Sequence, residues 1–143
     1  MRLFPSSEHV RAQRLSRLDR FAGMTPADVK RVVAAATTIR VAPGEVLVEE
    51  DTVGATAYVV LSGELAITQR GEPIGTMRAG DLTGEIGAVA GPYRSATVTA
   101  VVETEALELA ADVLKTLCDE LPAFRAAVWD TAQKRLTRDQ YTE

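Results

Sequence analysis

The spacing of apolar residues changes twice along the chain. In residues 8–20, EHVRAQRLSRLDR, Val10, Leu15 and Leu18 stand among charged and polar neighbours, as on a surface helix. A second helix is predicted after Thr25, a good N-cap, with Pro26 where the first turn tolerates proline. It continues through DVKRVVAAA. From Thr37 the period drops to two: Ile39, Val41, Val46 and Val48 alternate around a turn at Pro43-Gly44. Further strands are predicted at 57–61, 64–69, 73–77, 96–102 and 105–109. Gly54, Ser62-Gly63, Arg70-Gly71, Ala79-Gly80 and Gly91-Pro92 separate them. Short strands with turns between them suggest a sandwich, roll or barrel. Long helical segments between strands, which a βαβ unit needs, are missing. After residue 110 the pattern is helical again, first at 111–119 and then from about Pro122 to Gln140. There Leu121, Phe124, Val128, Ala132 and Leu136 recur at threes and fours as one apolar stripe.

Composition narrows the function more than the fold. With 143 residues, 46% apolar and 25% charged, the chain suits one domain with one core. A net charge of −4 disfavours wholesale nucleic-acid binding. Cys118 is the single cysteine, so no internal disulfide is expected, and it reads as a small buried hydrophobe. His9 is the single histidine, which leaves no metal-ligand set beyond carboxylates. No nucleophile–base dyad, acid–base pair or phosphate-loop lysine stands out, so catalysis is not expected. No signal peptide and no apolar run of the ~20 residues that span a membrane are visible, and a cytoplasmic location is expected. Arg11, Arg14, Arg17 and Arg20 recur every three residues and read as a solvated face. Trp129 reads as a core or interface anchor.

The chemistry concentrates in Gly80–Ala100, GDLTGEIGAVAGPYRSATVTA. One acid, Glu85, and one arginine, Arg94, are separated almost wholly by small or apolar residues. A short helix opening at Glu85 would aim free backbone N–H groups at an anion. Arg94 could pair with that same anion through its fork of donors. Glu85 would repel a phosphate, so its sensible partner is a hydroxyl such as a ribose 2′-OH. Gly84 and Gly87 let backbone approach closely. The set fits a nucleotide.

The run Gly84-Glu85-Ile86-Gly87 … Arg94-Ser95-Ala96-Thr97-Val98 resembles the phosphate-binding cassette of cyclic-nucleotide-binding domains. That family includes the catabolite activator protein, the regulatory subunits of cyclic-AMP-dependent kinase and cyclic-nucleotide-gated channels. Phe21-Ala22-Gly23-Met24 looks like the start of the family's first helix pair, and Pro43-Gly44-Glu45 like its turn into the β-roll. Tyr58-Val59-Val60-Leu61-Ser62-Gly63-Glu64-Leu65 resembles its strand-turn-strand around a structural glycine. The resemblance spans about residues 15–140. Two positions depart from it. Thr83 stands where the family has an aromatic or bulky apolar residue, which would loosen local packing. Asp51 stands where the family often has glycine.

The resemblance implies an α+β fold. An eight-stranded antiparallel β-roll or jelly roll, about 37–110, would be flanked by N-terminal helices, about 8–36, and C-terminal helices, about 111–140. It implies a cyclic-nucleotide sensor, for cyclic AMP ahead of cyclic GMP, without catalysis. Glu85 would accept from the ribose 2′-OH and Arg94 would pair with the cyclic phosphate. Backbone N–H groups near Gly84 and Ile86, and of Ser95 or Ala96, would complete the cradle. The Ser95 hydroxyl would reach the phosphate or a purine edge. Arg135, Leu136 and Asp139 on the last helix are candidate lid contacts over the base. An unidentified protein partner and a homodimer through that helix are expected. DNA binding is not, since the resemblance stops before the activator proteins' helix-turn-helix. Two rival readings remain: a ligand-free module of the same fold used for protein–protein interaction, and a small enzyme or sugar-binding jelly roll, against whose metal-dependent form the missing histidine cluster speaks.

Overall fold

A computed structural model of the chain describes residues 2–3, 7–54, 56–83 and 94–129, with side chains from Ser7 onward. Helix α1 spans Glu8–Ser16, with the Ser7 hydroxyl accepting from the Val10 N–H at 3.3 Å. It ends there, short of residue 20, and Asp19–Phe21 form a separate 3-10 turn. Helix α2 spans Pro26–Ala35. Thr25 caps it by accepting from the Asp28 N–H at 3.2 Å, and Pro26 fills the first turn as expected.

The β-roll follows as β2 (Thr37–Val41), β3 (Val46–Val48), β4 (Thr56–Ser62), β5 (Glu64–Gln69), β6 (Glu72–Arg78), β7 (Leu82–Thr83), β8 (Thr97–Ala100) and β9 (Thr104–Ala110). A two-residue strand, β1 (Arg2–Leu3), adds to the edge of β2. The strands make two sheets, ordered β1-β2-β9-β4-β7 and β3-β8-β5-β6, antiparallel throughout. Strand β8 is shorter than the apolar run at 96–102: the chain bends after Ala100, and Val101 and Val102 are exposed. Arg70 and Gly71, at φ 52° and 79°, form the two-residue hairpin between β5 and β6. Helix α3 (Ala111–Glu120) and a further helix α4, residues 122–129, complete the described chain.

Two apolar clusters share the five-stranded sheet. Inside the roll lie Ile39, Val48, Tyr58, Val60, Leu65, Ile67, Met77 and Val98, among others. On the outer face Ala57, Val59, Leu61, Leu107 and Leu109 pack against Leu15, Phe21, Val29, Val32, Leu117 and Phe124 of the helical regions. Strand β4 is therefore buried on both faces, which is why AYVVL is continuously apolar. Strand β5, in the other sheet, alternates along its length.

The arginine run from Arg11 to Arg20, on α1 and the 3-10 turn, is not simply solvated. Arg14 Nη1 donates to buried Glu105 of β9 at 2.7 Å, and Arg20 Nη2 meets Asp81 at 3.4 Å. Trp129 is 54% exposed and so is no core anchor. Cys118 is half-buried, against the outer cluster.

Candidate nucleotide site

Arg94 is the sequence-predicted site residue that the structure describes most fully. Its backbone is held on both sides: the Arg94 N–H donates to the Thr52 carbonyl, and its carbonyl accepts from the Asp51 N–H, both at 2.9 Å. Asp51 takes a left-handed φ of 64°, a conformation glycine adopts freely and aspartate tolerates better than most residues. The departure at Asp51 thus keeps the backbone path that brings residue 94 to the roll.

The side chain turns inward, and Arg94 as a whole is 8% exposed. Nη2 donates to the Thr56 carbonyl of β4 at 2.8 Å. Gly54 makes room for it. A Cβ there would stand 2.7 Å from Arg94 Cζ and closer still to Nε. Nη1 is buried and makes no hydrogen bond among the described residues. A buried donor on a permanently charged group, left unpaired, is costly, and an anionic oxygen is the partner that satisfies it best.

Tyr58 stands two residues further along β4, inside the roll, with Thr83 and Glu108 as its cross-strand partners. Burial pushes its phenol above the ordinary value of 10.0; the Glu108 carboxylate adds to the rise, and the positive Arg94 acts the other way. Thr83 is buried. Ser95 is exposed and its carbonyl accepts from Gln69 Nε2 at 3.0 Å, while Ala96 packs against the roll interior. Gly84, Glu85 and Ile86 lie outside the described residues, as do the lid candidates Arg135, Leu136 and Asp139.

Gly54, Thr56, Tyr58 and Glu108 were not singled out from sequence as site residues. Gly54 reads there only as a breaker, because nothing local says which side chain will lie against it. No group of three or more His, Cys, Asp or Glu side chains placed to hold a metal occurs among the described residues.

The described residues thus form an antiparallel β-roll with a buried arginine just before β8. The comparisons with known proteins agree: the cyclic nucleotide-binding domain profile matches residues 38–120, and the chain belongs to that family. The cAMP-dependent protein kinase regulatory subunit of Yarrowia lipolytica is 33% identical over 89 residues, which are 61% of this chain and 24% of that protein. The chain thus spans about a quarter of that relative's length. Solved structures share the fold. The regulatory domain of Toxoplasma gondii protein kinase A, crystallised with cAMP, has a TM-score of 0.73 at 21% identity, covering 91% of this chain and 49% of that one. The regulatory subunit of a cAMP-independent protein kinase A from Trypanosoma brucei has a TM-score of 0.76 at 17% identity, covering 88% and 47%.

Proposed function

We propose that this domain binds a cyclic nucleoside monophosphate reversibly, cyclic AMP ahead of cyclic GMP, and that binding regulates a protein partner without catalysis. The observation that carries the reading is Arg94: buried, permanently charged and, among the described residues, without a hydrogen-bond partner at Nη1. A cyclic phosphate supplies a single negative charge and exocyclic oxygens that suit such a donor. Glu85 accepts from the ribose 2′-OH, and backbone N–H groups near Gly84 and Ile86, and at Ser95 or Ala96, complete the cradle. The last helix, with Arg135, Leu136 and Asp139, closes over the base. Ligand shifts the equilibrium between open and closed forms by the difference in its affinity for the two. The domain works in the cytoplasm, makes no DNA contact, and pairs with a second copy through its last helix. Among the described residues no helix is long and apolar enough to cross a membrane.

The test is thermal unfolding with and without nucleotide. At about a hundredfold excess over the dissociation constant, cyclic AMP adds about 2.7 kcal/mol by mass action, a melting shift of several degrees in a domain this size. Arg94→Ala folds but loses the shift. The second reading is the ligand-free interaction module. The Trypanosoma neighbour, described as the regulatory subunit of a cAMP-independent kinase, keeps that reading alive. A folded wild-type protein that shifts with neither nucleotide establishes it instead.

A further inference from the structure

Strands β5 and β8 pair as far as Thr68 and Thr97, and side chains carry the join past the end of that ladder. The Thr97 hydroxyl accepts from the Glu50 N–H at 3.1 Å and gives its own proton to Glu50 Oε1 at 3.3 Å. The same carboxylate accepts from the Arg70 N–H, at 3.1 Å through Oε1 and 3.0 Å through Oε2. That N–H lies in the hairpin turn, beyond the last β5–β6 pair of Gln69 with Glu72. Gln69 Nε2 adds a bond from the same turn to the Ser95 carbonyl at 3.0 Å. Glu50 thus joins three segments that are distant in sequence: its own loop, the β5–β6 turn and the start of β8.

The loop held in this way is the one on which Arg94 rests. The Asp51 N–H donates to the Arg94 carbonyl, and the Arg94 N–H donates to the Thr52 carbonyl, each at 2.9 Å. Two residues further on, Gly54 leaves the space that the guanidinium fills, and Nη2 reaches the Thr56 carbonyl at 2.8 Å. A long, flexible side chain is placed only as firmly as the backbone it leans on. The seat of the 50–54 loop against residues 94–97 therefore sets where the guanidinium lies.

We infer that Glu50 is a positioning residue for the nucleotide site: by clasping the 50–54 loop to Thr97 and to the β5–β6 turn, its carboxylate holds Arg94 where it receives the phosphate. The inference rests on the reading of Arg94 as the phosphate site. A donor already placed in the free protein spares the ordering cost at binding, so loss of the clasp weakens affinity through Arg94.

The first test is calorimetric affinity for cyclic AMP, on variants that are folded at the working temperature, where a loss of stability alone leaves affinity unmoved. Glu50→Ala is expected to bind roughly tenfold more weakly than wild type. Thr97→Val, which removes the hydroxyl and keeps the shape, weakens binding too. The double variant is little weaker than the weaker single one, since both changes open one clasp. Glu50→Gln keeps an acceptor for the Arg70 N–H and the Thr97 hydroxyl and recovers most of the loss. If Glu50→Ala binds as wild type does, the inference is overturned. Tighter binding by both Glu50 variants overturns it as well, because the carboxylate then acts as a charge opposing the anion. The second test is backbone hydrogen exchange without nucleotide. In Glu50→Ala the Asp51 and Arg94 N–H groups exchange roughly tenfold faster than in wild type, and those of β9 are unchanged. Unchanged exchange at Asp51 and Arg94 overturns the clasp even where wild type binds cyclic AMP. If exchange rises there and wild type binds no nucleotide, Glu50 still positions Arg94, and what fails is the phosphate reading.

Discussion

Gly63 shows at single-residue scale how closely this roll is built. It has φ +106°, and a Cβ on it would meet Thr104 Cα at 2.7 Å, the Glu103 carbonyl at 2.8 Å and Thr104 Oγ1 closer still. Gly63→Ala is expected to cost roughly 2 kcal/mol or more, from backbone strain and contact together, measured by denaturant unfolding. Two titrating side chains give a second prediction. Burial raises the Cys118 thiol above its ordinary 9.0 and the Tyr58 phenol above its ordinary 10.0. Above those ordinary values the unfolded chain has released protons that the folded chain still holds. Stability from these groups is therefore full below about pH 9 and declines as pH rises through 9 and then 10. Unfolding curves from pH 7 to 11 should show that decline, and Cys118→Ala should delay its onset. A stability that rises above pH 9 would contradict it. Arg94 stands out in the sequence as a candidate because motif and residue type coincide. Its surroundings do not, because Arg94 meets Thr56, 38 positions away, through a backbone carbonyl that has no sequence signature.

The elements were read as well as their length allowed. Residues 64–69 show in sequence because several alternating positions agree, and the structure forms strands there and at the expected 105–109. Strand β7 was missed, since two residues carry no period; only its register against Tyr58 and Val59 makes it a strand. The early end of α1 was missed as well. Leu18 continues the apolar spacing past Ser16, but it is extended, with φ −82° and ψ 129°, and starts the 3-10 turn. The arginines of α1 read as solvated because Glu105 is 91 positions from Arg14. At this scale the informative change is Phe124→Ala. Phe124 is fully buried on α4 and its ring stacks on Phe21 at a centroid distance of 6.2 Å. Its loss should cost about 3–5 kcal/mol. Hydrogen exchange should show α4 opening before the roll, whereas uniform loss of protection would mean that α4 and the roll open as one unit.

At the scale of the whole molecule, one sheet separates two interiors. The inner face of β4 carries Tyr58 and Val60, and its outer face carries Ala57, Val59 and Leu61 against the helices. Arg94 grips this same strand at Thr56. On the proposed reading, a ligand drawn to Arg94 acts on a strand whose outer face packs against α1, the 3-10 turn and the C-terminal helices, which is the coupling a regulatory domain needs. Asp81 adds a second tie: it accepts from the Arg78 N–H at 2.8 Å and meets Arg20 at 3.4 Å, joining the approach to β7 to the N-terminal turn. The central claim is that buried Arg94 receives the phosphate of a cyclic nucleotide. Its most direct test is a calorimetric titration of wild type and Arg94→Ala with cyclic AMP. The account predicts saturable one-to-one binding by wild type and none by the variant, with both proteins folded. Equal binding by the two, or none by wild type, would contradict it.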